Sequence, residues 1–172
     1  MTFLVAVAFA ATVQALSPSP GVHPAQMTEL RSYARSTDYK YYCLAVNPGK
    51  LEGPINSGKK AEEPESLGRW LDTNRLRLDP PAELLADLQK TSQRLVAYSE
   101  CEQDSKLDIR HRATKEPSLL VAIGAVQVLS PQRVRFMVST MSGHHAAKEE
   151  LVEYKLTAKG WEQVSRKTLV QA

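Results

Sequence analysis

Ser118–Leu129 (SLLVAIGAVQVL), Arg133–Met141 (RVRFMVSTM), Glu149–Ala158 (EELVEYKLTA) and Trp161–Val170 (WEQVSRKTLV) are four apolar-rich runs at the end of a 172-residue chain. Between them lie Ser130-Pro131-Gln132, Ser142-Gly143-His144-His145 and Lys159-Gly160. Turn formers placed between apolar runs mark hairpins. In the second run Val134, Phe136 and Val138 alternate with arginines and serine, and in the third Val152, Tyr154 and Leu156 alternate with Glu153, Lys155 and Thr157. A period of two gives a strand with one dry and one wet face. The first run is apolar at every position from Leu119 to Ile123, which places it centrally or beneath another layer. In the fourth, Trp161 and Val164 stand three apart, and a β-bulge near Glu162 and Gln163 reconciles them.

Working back from this antiparallel β-meander, the segment before it reads as helical. Met27, Leu30 and Ala34 recur at helical spacing, and Asp38 offers a cap before Tyr39, Tyr42, Cys43 and Val46. One helix, or two joined near Ser36, is expected to end at Asn47-Pro48-Gly49, with the tyrosines packed in the core. Asp79-Pro80-Pro81 announces a further helix carrying Leu84, Leu85 and Leu88 and ending by Lys90 to Ser92. Leu95 to Tyr98 is a short extended piece, and Leu107 and Ile109 mark another strand. Residues 47–68 hold Gly49, Gly53, Gly58, three prolines and few apolar residues, and read as a long loop. The fold class expected is α+β, with N-terminal helices packed on a C-terminal antiparallel meander of four to five strands.

Phe3 to Val13 is an apolar run followed by Gln14-Ala15 and then Ser-Pro repeats. It is too short to span a bilayer, for which about 20 apolar residues are needed, and it reads as a signal peptide over residues 1–15. Residues 16–24 form an extended leader and residues 25–172 one domain, which carries no membrane span after signal removal. An exported chain whose only cysteines are Cys43 and Cys101 is expected to join them in a disulfide.

Charge is 22 Lys plus Arg against 19 Asp plus Glu, a net +3 spread along the chain. That is too weak a balance for a nucleic-acid partner. His144, His145 and Glu149 have the ligand types of a transition-metal site, yet adjacent histidines in an extended chain point to opposite faces, so they read as a polar hairpin loop. No nucleophile elbow, phosphate loop or dinucleotide fingerprint is present. No cofactor is expected and no catalytic residue can be named. Asp104, Asp108, Glu149, Glu150 and Glu153 are expected on wet strand faces.

Tyr154-Lys155-Leu156 followed by Lys159-Gly160-Trp161 and Val164 resembles the closing hairpin of nuclear transport factor 2-like and related small secreted bacterial proteins. Val96 to Cys101 is similar to a segment of uncharacterised exported bacterial proteins. The resemblance covers roughly residues 80 to 170 and implies a fold rather than an activity. A cystatin-like inhibitor would share the helix-on-sheet shape, but the Gln-x-Val-x-Gly hairpin is absent. The function expected is a secreted or periplasmic binding or interaction domain with a protein or small-molecule ligand. The alternative is an isomerase- or dehydratase-like enzyme with a cavity between sheet and helices.

Overall fold

The computed structural model describes residues 22–46, 77–143 and 146–171. Within them lie two helices, α1 (Pro24–Arg35) and α2 (Ala82–Gln89), and nine strands. The strands are β1 (Tyr41–Val46), β2 (Leu95–Ala97), β3 (Cys101–Gln103), β4 (Ile109–His111), β5 (Ser118–Ile123), β6 (Gln127–Ser130), β7 (Arg133–Gly143), β8 (Ala146–Thr157) and β9 (Gly160–Gln171). A seven-stranded sheet runs β2-β1-β5-β7-β8-β9, with β6 beside the start of β7, and β3 and β4 form a separate hairpin.

The α+β class stands, but the sheet is mixed and larger than a four- to five-stranded meander. Strand β1 lies inside one edge, parallel to both β2 and β5, with Tyr42 opposite Leu95 on one side and Leu119 on the other. The sequence expectation made Tyr41–Val46 helical. Here it is a strand buried on both faces, and such a strand has no polar-apolar alternation to betray it. Only α1 is N-terminal to the sheet, since α2 falls between β1 and β2.

Helix α1 starts where its cap chemistry dictates. The His23 imidazole Nδ1 accepts from Ala25 N–H at 3.2 Å and the Gln26 side chain accepts from His23 N–H at 2.7 Å, while Pro24 needs no N–H at the first position. Val22, which is buried, and His23, which caps the helix, belong to the stretch read as leader yet pack with the domain. The stretch read as a loop over 47–68, and the putting of residues 1–15 in a signal peptide, lie outside the described residues.

From β5 onward the hairpins follow the reading closely. β7 and β8 pair from Arg133↔Lys155 to Gly143↔Ala146, so β7 runs on past Met141 and β8 starts before Glu149. Gly160 supplies the positive φ of 109° at the β8–β9 turn. The bulge expected near Glu162 and Gln163 falls at Val164, because Tyr154 opposes Gln163 while Glu153 opposes Ser165. A second bulge falls at Leu169, between Thr168 and Val170. Leu107 is not in a strand but in the β3–β4 turn, with φ of 66°. Asp104 builds that turn: its carboxylate accepts from Lys106 and Asp108 N–H and from Arg110 Nε at 2.6 Å.

Alternate residues of the sheet feed two cores. Tyr42, Leu44, Val121, Val134, Phe136, Val138, Val152 and Tyr154 face the helices and meet Leu30, Leu84 and Leu88. Cys43, Ala45, Leu120, Ala122 and Met141 face the other way and are covered by the β3–β4 hairpin through Cys101 and Ile109. Phe136 stacks on Tyr154 with ring centroids 5.6 Å apart. Each such fully buried side chain contributes about 1.5–3 kcal/mol relative to exposure.

Candidate functional site

The buried stripe of α1 contains Ala25, Gln26, Glu29 and Leu30, which places a carboxylate against the sheet. Directly beneath it, Glu150 lies in phase with Val152 and Tyr154 on the dry face of β8, and Arg166 of β9 stands opposite Val152. Glu29 and Glu150 side chains are 1% and 6% exposed. A wet-face position for Glu150 is therefore corrected: it belongs to the same alternation as the core residues two and four positions on.

The four charges close on one another. Arg166 donates to Glu29 at 2.5 Å and to Glu150 at 2.7 Å, Lys148 pairs with Glu150 at 2.6 Å, and the Tyr154 hydroxyl donates to the second Glu29 oxygen at 2.6 Å. Two carboxylates thus meet two cations, which is what makes their burial tolerable. Burial raises the Glu150 carboxyl, but the hydrogen bonds from Lys148 and Arg166 more than reverse this and leave it below its ordinary value. Burial alone would lower Arg166. The hydrogen bonds and charges of Glu29 and Glu150 overcome that and hold it above the usual guanidinium range. Burial pushes the Tyr154 phenol up, reinforced by its bond to Glu29, and burial with the nearby Glu29 charge does the same to Tyr33. Every carboxylate oxygen of the group already holds a cation or a phenol, so the arrangement fastens α1 to the last strand.

Two recesses open elsewhere. A cleft of about 420 Å³ runs past the start of α1, walled by Val22, Leu30, Ile123 and Val126. Its polar atoms are committed, since Gln26 donates to the Gly124 carbonyl at 2.8 Å while capping His23, and the His23 ring meets Trp161 edge-on at 4.8 Å. Desolvation lowers the His23 pKa, in keeping with a ring nitrogen that must accept the capping bond. A smaller recess of about 210 Å³ lies beside Cys101, between Arg77, Tyr98 and Arg112. There Arg112 donates to the Cys101 carbonyl at 3.0 Å and Arg77 lies over the Tyr98 ring.

Cys43 and Cys101 are disulfide-bonded, with Cα atoms 6.2 Å apart. The bond ties strand β1 of the large sheet to β3 of the separate hairpin, not a helix to the sheet. His144 and His145 lie outside the described residues. Glu149 is on the wet face of β8, where Ser139 Oγ donates to it at 3.4 Å. Among the described residues no three His, Cys, Asp or Glu side chains gather as a metal site would require, and no helix is long and apolar enough to cross a membrane. Of the tyrosine cluster, Tyr42 is core, while Tyr41 stacks on the buried His111 at 4.1 Å. The residues that sequence reading missed are Glu29, Lys148 and Arg166. Glu29 could have been found, because positions 25, 29, 30 and 33 share one helical stripe. Arg166 carries no local signal. Comparison of the chain with protein-family models, with curated proteins and with solved structures returns no match.

Proposed function

We propose that this chain is a non-enzymatic binding or interaction domain that works outside the cytoplasm, secreted or periplasmic after removal of residues 1–15. The observation that carries the reading is the filled helix–sheet interface. Leu30, Leu84, Leu88, Val134, Phe136 and Val138 are all 0–2% exposed where an enzyme of this layout would keep its cavity. The ionisable groups at that interface are consumed by one another. A disulfide between two buried cysteines supports an oxidising destination. Binding then falls to the outside of the sheet, where Val128, Val164 and Leu169 are exposed.

The cleft beside His23 favours a second reading, a small-molecule binder with an apolar ligand at the start of α1. One experiment separates the two. Isotope-labelled protein is titrated with a set of apolar and polar fragments, and amide shifts are followed by NMR. The binding-domain reading expects no saturable shifts at Val22, Gln26, Gly124 or Val126. Saturable shifts confined to those residues would establish the small-molecule reading in its place.

A further inference from the structure

We infer that β9 is a self-recognition edge, pairing antiparallel with β9 of a second copy of this chain. Strand β9 ends the sheet order, and among the described residues it has a partner on one side only. It is twelve residues long, and Glu162 to Leu169 are exposed without a break. Alternate residues of such a strand aim their N–H and C=O groups away from the sheet, a template for another strand. The Arg166 backbone lies on this open edge although its side chain is only 28% exposed.

Charge selects the occupant. With a two-fold axis between Val164 and Ser165, Glu162 of one copy lies opposite Lys167 of the other, and symmetry makes the pair twice. Both residues stand on the same face of the sheet, since they oppose Lys155 and Leu151 of β8, two residues of equal phase. The same register sets Gln163 opposite Arg166 and Trp161 opposite Thr168, again like face with like face. The bulges that would spoil pairing with a regular strand are accommodated here. Val164, 49% exposed, falls beside the axis against its own copy, and Leu169, 41% exposed, falls opposite Gly160, above which a side chain would meet no atom within 4 Å. Isologous pairing of this kind closes at two copies, because it consumes the β9 edge of both. It holds whether or not the chain has another partner.

Sedimentation equilibrium of the full chain at about 100 µM, a concentration suited to a small interface, tests the inference. The wild type is expected to be dimeric there. Lys167→Glu, which places like charges opposite each other twice, weakens association about tenfold or more, and the double variant E162K/K167E restores it by re-forming both pairs. Both sites are exposed, and far-UV circular dichroism verifies that the variants fold. A monomeric wild type at that concentration overturns the inference. So does a dimer indifferent to Lys167→Glu, or a charge swap that fails to restore association.

Discussion

Replacing Arg166 by alanine removes the one group among the described residues that touches both buried carboxylates. Glu29, 1% exposed, then keeps the Tyr154 hydroxyl but loses its counter-charge, while Glu150 keeps Lys148. Breaking a buried ion pair from one side costs about 3–5 kcal/mol, and the partial exposure of Arg166 together with the survival of Lys148 puts the loss near the lower end, about 3 kcal/mol. For a chain of this length that is a fall of roughly 6–12 °C in Tm. Urea unfolding at pH 7 with the disulfide intact, followed by far-UV circular dichroism, gives the difference directly. Acid supplies the sign. Glu150 is held below its ordinary value of 4.5, so its stabilisation is present above that pH and is lost as the pH falls through its folded-state value. The gap between wild type and Arg166→Ala should therefore narrow towards pH 4. A loss under about 1 kcal/mol at pH 7 would mean the carboxylates are well hydrated, and a gap that widens in acid would refute the account of the cluster.

Cys43→Ser with Cys101→Ser opens a loop spanning 58 residues and should cost about 4 kcal/mol on the chain-entropy account, read as a lower urea midpoint. Both sulfurs are buried, so the native bond should resist dithiothreitol until denaturant is added. The phenols of Tyr33 and Tyr154 are raised, so their contribution is complete below pH 10 and is lost as the pH climbs through their folded-state values. Absorbance at the tyrosinate band should show these two phenols ionising last or together with unfolding, and early ionisation of all tyrosines would contradict their burial. Phe136→Ala, at a fully buried site stacked on Tyr154, should cost about 3–5 kcal/mol in the same urea assay. N-terminal sequencing of the exported protein should begin near Leu16, and retention of Met1 would reject the signal-peptide reading.

The hairpin of β7 and β8 was legible because one face is dry and one is wet, so Val134, Phe136 and Val138 announce their own period. The same rule, pressed harder, would have exposed Glu150 as an inward residue, since it shares the phase of Val152 and Tyr154. Strand β1 was not legible. Tyr39, Tyr42, Cys43 and Val46 fit a helical spacing, and a six-residue strand dry on both faces offers no alternation to set against it. Parallel pairing of β1 with β5 is a tertiary fact with no local trace. Arg166 was hidden for a similar reason: it meets Glu29 across 137 residues of chain, and nothing in β9 marks one basic residue over the next.

The parallel pairing of β1 on both sides has a consequence for biogenesis. Tyr41–Val46 (YYCLAV) leaves the ribosome early, uncharged and strongly β-prone, yet both of its neighbours, Leu95–Ala97 and Ser118–Ile123, are synthesised much later. Non-local parallel pairing is slow, and an uncharged apolar segment waiting for its partners is the kind that pairs with other chains instead. The nascent chain is therefore most vulnerable to aggregation between the emergence of Val46 and that of Ile123, and a holdase that shields this one hexapeptide should raise the yield of folded protein more than one acting on the self-contained hairpins that follow.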